Sequence, residues 1–155
     1  MAGRIEARLA ELGHELPQPM APAGTYVGWT RVGNIVHIAG QGPVRGTVIP
    51  LQGKVGQGVS LEEGREAAAL TAFNLLAQAR EACEGDLDRI VRWLKLFGLV
   101  NCGPDFGEHP EVINGASDLL VEVFGEAGRH ARSAIGASDL PMGIPVEIDA
   151  VIEVR

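Results

Sequence analysis

From Val146 to Val154 the chain alternates without a break. Val146, Ile148, Ala150, Ile152 and Val154 share one side, and Glu147, Asp149, Val151 and Glu153 the other. A period of two sends successive side chains to opposite faces of an extended strand. The segment therefore predicts a strand whose two faces meet different surroundings. Arg89 to Cys102 reads as the longest strand, an apolar run interrupted at Arg92 and Lys95, which suits a sheet with helices against one face. Ala131–Gly136 reads as a further short strand.

Two long helical patterns flank that central run. Ser60-Leu61-Glu62-Glu63 is a capping box, serine first and glutamate three later. The helix it opens runs to about Cys83, and Gly85 ends it. The second runs from Pro110 to Phe124, with Val112, Ile113, Ala116, Leu119, Leu120 and Val123 in helical period. Proline suits its first turn, and Gly125 its end. Nearer the N-terminus, Gly33-Asn34 predicts a hairpin turn between strands Tyr26–Arg31 and Asn34–Ala39. A short strand at Thr47–Leu51 is expected within the glycine-rich stretch Gly40–Gly58. Ile5, Leu9 and Leu12 mark a short leading helix, and Pro17, Pro19 and Pro22 make an extended arm after it.

This order predicts an α+β single domain. One mixed or antiparallel sheet carries two helices on one face, with an extra helix at the N-terminus. The other sheet face then needs a cover, and a second subunit is the simplest one. A length of 155 residues is enough for one core. Net charge is −7, from 13 basic and 20 acidic side chains, and only 5% of residues are aromatic. Both features argue against a nucleic-acid track. Cys83 and Cys102 are too few for a disulfide scaffold or a four-cysteine zinc site, and they fit reduced thiols in a cytoplasmic protein. No apolar run approaches the length of a membrane helix, and Met1–Gly13 lacks the uncharged core of a signal peptide.

Few residues offer chemistry. His14, His37, His109 and His130 show no paired ligand spacing, so each reads as structural or surface, and no metal or cofactor is expected. The richest segment is C-terminal. If strand 131–136 pairs with strand 145–154 across the Leu140-Pro141 turn, Arg132 and Glu147 approach one another. A guanidinium can clamp a small carboxylate through two parallel hydrogen bonds, and a carboxylate can take a proton from water. A plain surface ion pair is the alternative.

In several ordered pieces the chain resembles the Rid family, also called YjgF-like or L-PSP endoribonuclease-type proteins. Gly24-Thr25-Tyr26 is similar to that family's early G-P-Y segment, and Ile38-Ala39-Gly40-Gln41-Gly42-Pro43 to its S-G-Q-x-P turn. Asn114 matches an asparagine on its second helix. Ala131-Arg132-Ser133, Leu140-Pro141 and Val146-Glu147-Ile148-Asp149-Ala150 are similar to its closing A-R-S, L-P and V-E-I-E-A signature. The match covers about 24–155 as the Rid-like domain, with 1–23 an added helix and proline-rich arm.

The resemblance implies a chorismate-mutase-like fold, a homotrimer with sites between subunits, and hydrolysis of reactive 2-imino and 2-enamino acids to 2-keto acids and ammonia. It implies that Arg132 holds the substrate carboxylate and that Glu147 positions or activates water. Tyr26 and Asn114 would line the pocket, and backbone groups near Gly40 and Ala134 would orient the imine. The sequence departs from the pattern at Ala39, where serine is usual, at Ala134, where cysteine is common, and at Ser117, where a pocket tyrosine is usual. Those departures keep a non-catalytic carboxylate-binding or regulatory role open. Ribonuclease action, carried by the family name, is the least favoured by the charge.

Overall fold

The computed structural model describes residues 3–155. Met1 and Ala2, the first residues of the expected 1–23 unit, lie outside the described residues. The elements are α1 (Arg4–Glu11), β1 (Trp29–Val32), β2 (Ile35–Gln41), β3 (Lys54–Val55), β4 (Gly58–Val59), α2 (Leu61–Ala82), β5 (Ile90–Asn101), α3 (His109–Phe124), β6 (Ala131–Ala137) and β7 (Val146–Val154).

Local signals act as their chemistry requires. The Glu63 N–H donates to Ser60 Oγ at 3.1 Å, and the Ser60 N–H donates to Glu63 Oε2 at 2.8 Å, so both arms of the α2 capping box are closed. At its other end Gly85 takes φ +90° and its N–H reaches the Arg80 carbonyl at 2.8 Å. Helix α1 has a more distant cap. The Asp88 carboxylate accepts from the Arg4 and Ile5 N–H groups at 2.7 and 2.9 Å, which satisfies two orphan donors of its first turn.

Five strands form one sheet in the order β1-β2-β7-β5-β6. Strands β5 and β6 run parallel and the other neighbours antiparallel, so the sheet is mixed. Helix α3 is the crossover between the parallel pair, as a parallel connection demands. The even positions of β7 are buried in a core shared with α2 and α3. Ile5 and Leu9 of α1 join the same core. On the opposite face lie Glu147, Asp149 and Val151 of β7, with Phe97 and Leu99 of β5 directly across from Asp149 and Glu147.

Three expectations need correction. Strand β6 does not pair with β7, because β5 lies between them; the α3 crossover puts β6 on the outer edge of β5. The first hairpin strand starts at Trp29, since the Tyr26 N–H turns back to the Gly24 carbonyl at 3.0 Å. Thr47–Leu51 forms no strand: Arg45 and Val48 close a tight turn and Pro50 offers no donor, so pairing begins only at Lys54.

Candidate functional site

Arg132 stands near the start of edge strand β6, in register with buried Leu96 of β5. Its side chain turns to the helix face and meets α3. Nη1 donates to Asn114 Oδ1 at 2.7 Å and to Ser117 Oγ at 3.0 Å, and Nη2 donates to the Pro110 carbonyl at 3.4 Å. Asn114 and Ser117 are three residues apart on α3 and therefore share a face. The helix lies close enough because β5 carries glycine beneath it: a Cβ on Gly98 would sit 2.7 Å from Ile113 Cγ1.

Three of the five guanidinium hydrogens are used in this way. Nε–H and one Nη2 hydrogen have no protein acceptor among the described residues. Nε and Nη2 lie on one edge of the guanidinium plane, the edge that meets a carboxylate through two parallel bonds. Helix α3 thus holds the group chiefly through Nη1 and leaves Nε–H and one Nη2 hydrogen for another acceptor.

Behind Ser117 lies His130. Its Nε2 is 2.9 Å from Ser117 Oγ and its Nδ1 is 2.7 Å from the Gly128 carbonyl. Burial pushes the imidazole below its usual pKa. The Gly128 carbonyl opposes that shift, and the Arg132 charge adds to it.

Glu147 belongs to a different neighbourhood. It lies on the sheet face away from the helices, beside Gly40 of β2, where an added Cβ would stand 3.1 Å from Oε2. Burial pushes its carboxyl above the usual range, and the charge of Asp149 pushes it further. Burial likewise raises Asp149, against the pull of His37 and Lys95. A pocket of about 290 Å³ on this face is bounded by Trp29, His37, Gly40 and Asp149.

The structure therefore joins Arg132 to Asn114 and Gly40 to Glu147. It does not join Arg132 to Glu147, which occupy opposite faces of the sheet, and the expected direct approach of the two is corrected. Ala134 sits opposite Gly98 and packs against the core. Tyr26 is 53% exposed, and its hydroxyl accepts from the Ala23 N–H at 3.1 Å.

The sequence alone does not show Ser117 as a partner of Arg132, and it places His130 among the structural or surface histidines. The available signal was spacing: Ser117 is one turn beyond Asn114. Asp149, two beyond Glu147, was also legible from the strand period. A second polar cluster lies at the end of β5, where Cys102 Sγ is 3.4 Å from His109 Nε2. Burial raises that thiol's pKa, so it stays protonated near neutral pH. The carboxylates of Glu6, Asp86 and Asp88 gather within 4.8 Å of one another at the start of α1. There they serve the backbone: Glu6 accepts from Leu87 N–H and Asp88 caps the helix.

Residues 6–146 match the family described as "YjgF/chorismate_mutase-like, putative endoribonuclease". Protein TCP17 of Trypanosoma cruzi is 43% identical over 155 residues, covering 99% of this chain and 96% of that protein. The crystal structure of Atu1372 from Agrobacterium tumefaciens, of unknown function, is 45% identical with a TM-score of 0.92, covering 98% of this chain and 93% of that one. RidA from an Antarctic Psychrobacter bacterium stands further off, at 26% identity and a TM-score of 0.61 over 88% of this chain and 94% of its own. With its mixed sheet, helices on one face and closing Arg132–Glu147 segment, the chain belongs to the YjgF/chorismate-mutase-like family, and its structural neighbours include L-PSP and RidA-type proteins.

Proposed function

We propose that the protein hydrolyses small reactive 2-imino and 2-enamino acids to 2-keto acids and ammonia, at sites formed between subunits of a homotrimer. The observation that carries the reading is Arg132, held by α3 through Nη1 with Nε–H and one Nη2 hydrogen unspent among the described residues. A planar 2-imino acid offers a carboxylate to that edge. Water adds to C2 of the imine while a carboxylate takes its proton, and the proton passes to nitrogen. The carbinolamine hydroxyl then gives up its proton, which the same carboxylate relays to nitrogen, and C2=O forms as the C2–N bond breaks and ammonia leaves. Glu147 suits the proton-accepting role because its raised pKa makes it a stronger base than an ordinary carboxylate.

Arg132 and Glu147 lie on opposite faces of one chain's sheet. The reading therefore brings Arg132 of one protomer together with the partner subunit's Glu147. In it, Tyr26 and Asn114 line the pocket, and backbone groups near Gly40 and Ala134 orient the imine. Residues 24–155 carry the site, and 1–23 are an addition to it. Two free buried thiols, Cys83 and Cys102, suit the reducing cytoplasm. Among the described residues no helix is long and apolar enough to cross a membrane. We do not extend ribonuclease action to this chain: net charge is −7, and the basic group Arg129, His130 and Arg132 is too small for a nucleic-acid track.

The test uses 2-iminobutanoate generated in situ, following loss of the imine. Wild type accelerates its decay over buffer, and Arg132→Ala loses about 100-fold, the order expected for losing charged hydrogen bonds to the substrate. No acceleration by wild type overturns the catalytic reading. A second reading, carboxylate binding without turnover, is favoured by Ser117, which spends its hydroxyl on Arg132 and His130 where the family pattern has a pocket tyrosine. Calorimetric binding of a 2-keto acid without imine hydrolysis selects it.

A further inference from the structure

Ser117 and His130 have no part in the hydrolysis just described, yet hydrogen bonds join them to Arg132 without a gap. The direction of each bond follows from what its atoms can do. The Gly128 carbonyl can only accept, so the 2.7 Å contact places a proton on His130 Nδ1. Nε2 of the neutral ring is then an acceptor, and the Ser117 hydroxyl donates to it at 2.9 Å. With its hydrogen committed, Ser117 Oγ turns lone pairs toward Arg132, whose Nη1 donates at 3.0 Å. The second Nη1 hydrogen goes to Asn114 Oδ1 at 2.7 Å. Every member points one way, and each bond fixes the next.

A protonated ring would break this order. Nε2 would become a donor, the serine hydrogen would have to turn away, and a second cation would stand one hydroxyl from the guanidinium. Burial and the Arg132 charge both oppose that state. Neighbouring charges are engaged elsewhere: Arg129 pairs with Glu126 at 3.1 Å, and Asp118, beside Ser117 on α3, pairs with Arg65 at 3.3 Å.

We propose that neutral His130, acting through Ser117, is a positioning residue that holds the Arg132 guanidinium so that its Nε–Nη2 edge meets a carboxylate. This rests on the reading of Arg132 as a carboxylate site. It gives the departure at Ser117 a purpose: the hydroxyl is the link between ring and guanidinium. It also assigns the imidazole a tautomer, with the proton on Nδ1.

Two measurements test it separately from the reading it rests on. The first is calorimetric titration with 2-oxobutanoate, a 2-keto acid, with thermal unfolding followed in parallel. Ser117→Ala and His130→Ala each weaken binding about tenfold, the order of one lost hydrogen bond to a charged group. His130→Gln places an amide oxygen where Nε2 accepts and stays within about twofold of wild type. Binding unchanged in Ser117→Ala and His130→Ala, but lost in Arg132→Ala, overturns the proposal and leaves the Arg132 reading standing. The second is an NMR titration of the His130 ring with no ligand present. Wild type shows the Nδ1–H tautomer, and Arg132→Gln moves the titration midpoint upward because a neighbouring cation has gone. A midpoint unmoved by that substitution overturns the proposal even if no 2-keto acid binds.

Discussion

At Gly40 a single missing Cβ decides what can stand beside it. An added methyl would lie 3.1 Å from both Cδ and Oε2 of Glu147, tighter than most real Cβ contacts, so the carboxyl would have to shift by a few tenths of an ångström. Misplacing a reacting group by less than an ångström already costs rate. Gly40→Ala is expected to cut imine hydrolysis about tenfold while far-UV circular dichroism stays native. Unchanged turnover would separate Glu147 from the chemistry. At this scale the sequence is legible where a residue's own chemistry is unusual, as for Arg132 in an acidic chain. His130 was not legible, because its partners reach it from α3 and from the Gly128 backbone, and no spacing rule reports a bond between a helix and the loop that follows it.

Elements differ in the same way. The α2 capping box, Gly85 and Pro110 are local signals and could be read directly, because the bonds they make close within a few residues. The cap on α1 could not, since Asp88 lies 84 residues from Arg4. Its two backbone donors hold the Asp88 carboxyl below the usual carboxylate range. The folded pKa is thus lower than the unfolded one, so the stabilisation is complete above the unfolded value and disappears as pH falls through the folded one. Asp88→Ala is expected to cost about 1 kcal/mol at pH 7, a drop of about 2–4 °C in Tm. In calorimetric melts the gap between variant and wild type should close below about pH 4; a gap constant with pH would mean that the carboxylate charge plays no part. Strand order was the other hidden feature. Periodicity tells which face of β6 or β7 is buried, but it does not tell that β5 stands between them.

The molecule as a whole presents a sheet face that no element among the described residues covers. Phe97, Leu99 and Val151 are only half-buried there, beside the titratable group of Lys95, Glu147 and Asp149. A single chain leaves this mixed surface half wet, and the proposed homotrimer covers it. Phe97→Lys tests this without unfolding the protomer, because position 97 is directly across from Asp149 and a lysine there gains a cross-strand partner. Copies of the same lysine brought together at an interface repel. Sedimentation velocity at micromolar concentration should show a trimer for wild type and monomer for the variant, with secondary structure retained and imine hydrolysis lost. A wild-type monomer would remove the inter-subunit site.

The place of β7 in the sheet also sets when the protein can fold. It lies between β2 and β5, yet it is synthesised after both. Until residue 154 has left the ribosome, the five-stranded sheet can have only the pairings β1 with β2 and β5 with β6, each with a bare edge where β7 belongs. Neither pair can bury its apolar face against the complete core, and each bare edge is a template for a stray strand. The sheet therefore closes from its middle, late, and a nascent chain that stalls before β7 exposes two sticky edges to the rest of the cell.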